Sequence, residues 1–479
     1  MSAVAAPATT ARPRDTTRPQ PRRVPAKSQP RLLLAYYGDD FTGSTDALEA
    51  LSAAGVRTVL FLKPPTPKEL AAFPGLRAFG VAGASRTMSP REMDQALPTI
   101  FRALHRSGAT VVHYKVCSTF DSSPEVGSIG HVIDLGQRIF HSSTVPLVVG
   151  APVLGRYCIF GNLFARSGLD TEPYRLDRHP TMVRHPVTPM QESDLRVHLG
   201  KQTRRSVELF DVLKLESADP ELALQKMMAK PPGVLLFDTL REAHLPVIGK
   251  LIWKQAQARA PLFAVGSSGL EYALTAHWGG EREADWQLRA VKQTIAISGS
   301  CSPVTQRQIA YAVKHGFSEI ALHPERLLAS RERDREVASA VDLCVKRCKQ
   351  AGSVILHTSL GPDDPRLAAT RESLKKAGVS LEEQRLKSGR LLGPVLGQIL
   401  RLIMERVDLS RFVVAGGDTS WFVANELGID ALEMAAPMAP GSPLCRIHSD
   451  KRAVSGREIV FKGGQVGREN FFESVLAKS

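Results

Sequence analysis

The 479-residue chain has no run of about 18 apolar residues, so nothing in it reads as a helix that spans a bilayer. Its six cysteines show no paired zinc-type spacing, and Cys344 and Cys348, one helical turn apart, read as packing residues. Neither a disulfide framework nor a structural metal is expected. No G-x-x-x-x-G-K-[ST] loop occurs, and no G-x-G-x-x-G follows the first apolar run, which argues against a dinucleotide oxidoreductase. Aromatic residues are scarce, at 6%, and no zinc finger or RNA-binding aromatic signature accompanies the formal charge of +14 and pI near 9.6.

Part of that charge belongs to the first 31 residues, where Arg12, Arg14, Arg18, Arg22, Arg23, Lys27 and Arg31 face Asp15 alone. Rich in proline and poor in apolar residues, the leader 1–30 reads as disordered, without the apolar core of a secretory signal. The rest keeps an excess of roughly eight positive charges, a field suited to an anionic small molecule and a nucleotide. A cytoplasmic protein that binds neither nucleic acid nor membrane is expected, and the composition is compatible with a homo-oligomer.

Length and pattern predict an α/β protein of two domains, each a mostly parallel sheet flanked by helices, with the active site in the cleft between them. Apolar runs at Leu32 to Tyr37, Thr58 to Leu62, Ala78 to Ala82, Thr110 to Tyr114, Val145 to Val149, Val234 to Phe237 and Leu262 to Val265 alternate with helical patterns. The stretch from about Arg156 to Val187 is irregular and reads as a loop or hairpin over the site. The charged segment Glu281 to Asp285 divides a unit 31–285 from a unit 286–479. In the second unit, runs at Thr294 to Ser298, Val354 to His357, Phe412 to Ala415 and Ile459 to Lys462 repeat the alternation.

Strand exits carry the chemistry. The run ending in Tyr114-Lys115-Val116-Cys117-Ser118-Thr119-Phe120-Asp121 places a cation, hydroxyls and a carboxylate at the carboxyl end of a buried strand, where open α/β sheets bind ligands. A lysine inside a buried run needs an anion nearby. Gly38-Asp39-Asp40-Phe41-Thr42-Gly43 follows the first strand. There one aspartate faces the substrate, with Asp40 favoured to accept a hydroxyl proton and Asp121 the runner-up, while Asp39 caps the next helix. Arg86 is the natural bidentate partner of a substrate carboxylate.

In the second unit, Gly416-Gly417-Asp418-Thr419 leads into a helix ending at Gly428. Paired glycines and a helix N-terminus suit a phosphate, although a turn merely capped by Asp418 or Thr419 has the same pattern. Gly299-Ser300-Cys301-Ser302 and Lys462-Gly463-Gly464 form two comparable turns, and Pro440-Gly441-Ser442-Pro443 reads as a wall of an adenine pocket.

Together these motifs resemble the four-carbon acid sugar kinases, over nearly everything after the leader. The resemblance implies an N-terminal sugar-binding domain, a C-terminal nucleotide-binding domain, and transfer of phosphate from ATP, with Mg²⁺, to a terminal hydroxyl of a small sugar acid. It maps substrate contacts to Asp40, Arg86 and Lys115 to Ser118, with Asp39 and Thr119 alongside. ATP contacts map to Ser300, Gly416 to Thr419 and Gly441, with Ser302, Lys462, Gly463 and Gly464 in the adjoining turns. Gly38 and Gly127-Ser128-Ile129-Gly130 depart from the common wording. Cys117-Ser118-Thr119-Phe120-Asp121 is closer to members acting on 3-oxo-tetronate than on threonate, and Tyr36-Tyr37-Gly38-Asp39-Asp40 to those acting on 3-oxo-isoapionate. A non-catalytic sensor of ATP and sugar acid, or a D-threonate or D-erythronate kinase, are the alternatives.

Overall fold

In the computed structural model, residues 1–3, 5, 31–166, 172–185, 187–279, 286, 288–329, 331–350, 352–376 and 378–477 are described. The greater part of the leader 1–30 and the proposed boundary 281–285 therefore lie outside the described residues.

Every predicted apolar run forms a strand. In chain order these are β1 (Leu34–Gly38), β2 (Thr58–Phe61), β3 (Ala78–Val81), β4 (Val111–Lys115), β5 (Val145–Val148), β6 (Arg156–Ile159), β7 (Asn162–Arg166), β8 (Pro173–Arg175), β9 (Val207–Phe210), β10 (Val234–Phe237), β11 (Leu262–Gly266), β12 (Ile295–Ser298), β13 (Ser318–Ala321), β14 (Val354–His357), β15 (Arg411–Ala415), β16 (Ala431–Ala439), β17 (Ser442–His448) and β18 (Glu458–Lys462). The irregular stretch after Arg156 holds a small antiparallel sheet of order β6-β7-β8 followed by short 3₁₀ turns, more structure than the expected loop or hairpin.

The other fifteen strands form one continuous sheet, where two separate sheets were expected: β13-β14-β12-β15-β18-β17-β16-β2-β3-β1-β4-β11-β5-β10-β9. Strands β1 to β5 and β9 to β11 run parallel, as do β12 to β15 with β18. The hairpin β16–β17 joins the two sets, β17 antiparallel to β18 and β16 antiparallel to β2.

Parallel strands buried on both faces read as unbroken apolar runs, and successive side chains divide between the faces. Leu34 and Tyr36 enter a core that also holds helix Phe41–Ala53 and continues through Phe412, Val423 and Phe461 of the second half. Ala35 and Tyr37 enter a second core against helices Pro90–Arg106 and Ile129–Phe140. Because the first core belongs to both halves, Phe41 packs edge-on to Phe461, centroids 4.7 Å apart.

Candidate active site

In the first half the site is built where β3, β1 and β4, neighbours in that order, end side by side. The Asp39 N–H donates to the Lys115 carbonyl at 2.8 Å, and the Arg86 N–H to the Asp39 carbonyl at 3.0 Å, so main-chain bonds tie the three turns together. Arg86 then draws both aspartates onto one guanidinium. Its Nη2 donates to Asp39 Oδ1 at 2.9 Å and to Asp40 Oδ1 at 2.7 Å, with Nη1 4.0 Å from Asp121.

The helix cap is Asp40, where the sequence reading expected Asp39: Asp40 Oδ1 accepts from the Gly43 N–H at 2.9 Å and its Oδ2 from Thr42 Oγ1 at 2.7 Å. Capping needs the residue immediately before the first helical turn, and Asp39 still lies at the strand end. Their proton affinities diverge accordingly. Burial lifts Asp39 to about 6 against the opposing charge of Arg86. Burial acts the same way on Asp40, but Arg86, Lys115, Thr42 and Gly43 outweigh it and hold the carboxyl below its ordinary value.

Lys115 is fully buried, and its Nζ lies 3.2 Å from Asp46 Oδ2 and donates to the Val116 carbonyl at 3.1 Å. Burial works against its charge, yet Asp46 first, then Glu271 and Asp40, keep it protonated. Beyond it the chain turns through Cys117 to Phe120, Phe120 taking φ 58°, and Thr119 Oγ1 donates to Asp121 Oδ1 at 2.7 Å. Cys117 Sγ meets Thr119 Oγ1 at 3.0 Å, and burial, seconded by Asp121, pushes the thiol up to about 11, so it is no nucleophile. Val116, expected to touch substrate, turns its side chain into the core and offers only main-chain atoms. Ser118 is half-buried on the turn.

In the second half the ends of β12, β15 and β18 lie side by side, and their turns interlock. A Cβ on Gly299 would come within 2.3 Å of Thr419 Oγ1, and one on Gly464 within 2.7 Å of Ser300 Oγ, whereas Gly463 meets only Val466. Gly416 has φ 126°, a conformation side chains resist, and helix Gly417–Leu427 starts without any side-chain cap. Asp418 and Thr419 therefore leave the first turn's N–H groups open, and Gly428 ends the helix in the left-handed conformation. Ser302 is used otherwise, capping helix Pro303–Lys314.

Lys462 differs from its expected role. Its ammonium is fully buried, donates to Thr305 Oγ1 at 3.2 Å and lies over the Phe471 ring, beneath the turns instead of within the cleft. Burial alone lowers it from 10.5 to about 7. Because the folded chain holds this proton more weakly than the unfolded one, the cost to stability is full below pH 7 and fades as pH rises toward 10.5. Lys462→Met should raise the thermal midpoint by a few degrees at pH 6 and by progressively less toward pH 10, as read by thermal unfolding. Equal gains at both ends would show that burial does not lower the proton affinity of the ammonium.

Gly441, which the sequence reading sets in the wall of an adenine pocket, also has a bracing role. It forms the tip of the β16–β17 hairpin and rests on helix Phe41–Ala53, its N–H donating to Glu49 Oε2 at 2.6 Å and its carbonyl accepting from Thr45 Oγ1 at 3.3 Å. It braces the two halves together. Burial and then the nearby Asp46 lift Glu49 to about 8.

The two sets of turns face each other. A Cβ on Gly417 would meet nothing nearer than Thr42 Oγ1, at 3.9 Å. Asp418 is held above its ordinary value by burial and then by the charge of Asp40, while Arg86, His185 and Arg390 oppose the shift. Sequence reasoning missed Asp46, Glu49, Arg156 and His185. Asp46 and Glu49 left one signal, two carboxylates one turn apart on an otherwise uncharged helix.

A pair of facing turns, one acidic and one of uncapped glycine-rich backbone, on a two-part α/β scaffold forms the candidate site. Residues 34–274 match the family model described as a sugar-binding N-terminal domain, and residues 295–472 the one described as a nucleotide-binding C-terminal domain. A 3-oxo-isoapionate kinase of Paraburkholderia graminis is 48% identical over 93% of this chain and 94% of its own length. A 3-oxo-tetronate kinase of Methylobacterium radiotolerans is 31% identical over 93% and 99%. Among solved structures, a Salmonella typhimurium LT2 protein superposes with TM-score 0.72 at 25% identity, covering 93% of this chain and 98% of that one. A Haemophilus influenzae protein shares the fold at TM-score 0.67 and 21% identity, over 92% and 99%. The chain belongs to the four-carbon acid sugar kinase family. No helix among the described residues is long and apolar enough to cross a membrane.

Proposed function

We propose that the chain transfers the γ-phosphoryl group of ATP to the terminal hydroxyl of a small keto sugar acid, 3-oxo-isoapionate before 3-oxo-tetronate. The observation that carries this reading is the approach of the open phosphate turn at Gly417 to the acidic turn at Thr42. Phosphoryl transfer needs chiefly positioning and neutralisation of charge; the facing turns supply the positioning, and the open N–H groups of the helix at Gly417 favour the phosphates. In this reading the unit 31–285 takes the acid through Asp39, Asp40, Lys115 and the turn Cys117 to Thr119. The unit 286–479 takes the phosphates through Ser300, Gly416, Gly417 and Thr419.

Asp40 orients the acceptor hydroxyl and takes its proton as the bond to phosphorus forms. Its lowered proton affinity suits a transfer in which the proton leaves late. No cluster of three metal-ligating side chains is found among the described residues. A magnesium ion needs none, because it is usually held by one or two carboxylates together with phosphate oxygens. Asp418, exposed at the phosphate turn and close enough to feel the charge of Asp40, fits that requirement. Bound there, Mg²⁺ would neutralise charge on the phosphates.

The preference for the branched acid follows the 48% identity to a 3-oxo-isoapionate kinase. An ADP-release assay across 3-oxo-isoapionate, 3-oxo-tetronate, D-threonate and D-erythronate tests it. Turnover of the first two above the rate of ATP hydrolysis alone is expected. Binding of ATP and acid without product would instead identify a sensor. A cytoplasmic location belongs to the same reading.

A further inference from the structure

Both cations that the acidic turn offers are already paired. Arg86 is held by Asp39 and Asp40, and Lys115 by Asp46. A substrate carboxylate arriving there would have to displace a carboxylate of the protein. With Asp121 added, four acids face two cations, an unsuitable field for an anion.

Arg156 supplies what is missing. Lys115 is in register with Gly266, and Gly266 with Val148, so the ends of β4, β11 and β5 are aligned. Three residues past Val148, Ala151 pairs antiparallel with Arg156, its N–H donating to the Arg156 carbonyl at 2.9 Å and its own carbonyl accepting at 3.2 Å. Arg156 thus hangs over the same sheet edge as Lys115, two strands away. Its Nη1 donates to the carbonyls of Leu154 at 2.8 Å, Gly155 at 3.3 Å and Arg166 at 3.4 Å, which fixes the plane of the guanidinium.

One donor of Arg156 is in want of an acceptor. Its Nε is buried without a hydrogen-bond partner, and among the described residues no carboxylate lies within ion-pair distance. Burial weakens its charge, while Cys117, Asp121 and Asp46 are near enough to support it. A partly buried guanidinium with one buried, unpaired N–H is best satisfied by a planar anion that accepts two parallel hydrogen bonds.

We propose that Arg156 receives the carboxylate of the sugar acid, and that Arg86 instead orients Asp39 and Asp40 toward the acceptor hydroxyl. This rests on the kinase reading above and assigns the end of the substrate remote from the reacting hydroxyl to the small β6–β7–β8 sheet.

The test compares acid and uncharged forms of one substrate. For Arg156→Ala, KM for 3-oxo-isoapionate or 3-oxo-tetronate should rise by about 30-fold or more, with KM for ATP within about twofold. The matching carboxamide should be used equally by the variant and the native enzyme, and Arg156→Lys should regain part of the loss. Equal effects on acid and carboxamide, or none on either, in an active enzyme would overturn the assignment. If native protein turned over no acid, the kinase reading would fail first, and calorimetric titration with 3-oxo-tetronate would still judge Arg156. Binding weakened about 30-fold by Arg156→Ala supports it, and equal or absent binding in both proteins refutes it.

Discussion

Replacing Asp40 with asparagine should lower kcat for the sugar acid by roughly 10²-fold or more while leaving the fold and KM for ATP nearly unchanged. The fold should survive because asparagine caps helices as well as aspartate. Its oxygen can keep the bonds from the Gly43 N–H and Arg86, and its amide can donate to Thr42 Oγ1, which now accepts. What disappears is the charge and the free acceptor on Oδ2, the two properties needed to hold a hydroxyl and take its proton. Steady-state kinetics on Asp40→Asn and Asp121→Asn divide the roles. A near-normal kcat in the first and a collapsed one in the second would pass the assignment to Asp121, whose carboxylate already lies 4.0 Å from Arg86. A rise in KM for the acid alone would make Asp40 a binding group.

Gly417→Val should raise KM for ATP by about 10- to 100-fold and leave KM for the acid within a few-fold. A side chain at Gly417 enters open space, meeting only Thr42 Oγ1 at 3.9 Å, so the protein itself has no reason to unfold. That space is the passage between the phosphate turn and the acidic turn, and valine would fill it. Gly416 behaves differently, since its φ of 126° and a Cβ only 2.9 Å from Thr419 Oγ1 make any substitution there a matter of folding. Isothermal titration with a non-hydrolysable ATP analogue reads the effect directly. Unchanged nucleotide affinity would move the phosphates away from Gly417.

The strands were legible where both faces are buried, because such segments are largely apolar, as in β1, β5 and β10. The edge strands β9 and β13 were not, since Glu208 interrupts Val-Glu-Leu-Phe and Ser318 and Glu319 occupy half of Ser-Glu-Ile-Ala. The β16–β17 hairpin was hidden by Ala435, Ala436 and Pro437, poor strand formers that sit at shifts in its register. Locally encoded site features, the Asp40 turn and the glycine turns, were visible. Pairings made only by folding were not: Arg86 looked free for substrate because its acids lie 46 and 47 residues away. Arg156 looked like part of a loop until its bridge to Ala151 set it over the same sheet end as Lys115, two strands away.

The union of both halves in a single sheet governs how the chain must be made. β2, buried along its whole length, acquires its outer neighbour only when Ala431 and Leu432 pair with Phe61 and Leu60. Until the ribosome has delivered that hairpin, the nascent first half carries a bare apolar edge open to pairing with any other chain. The last quarter of the protein thus completes the nucleotide site and also shields the sugar-acid half from aggregation.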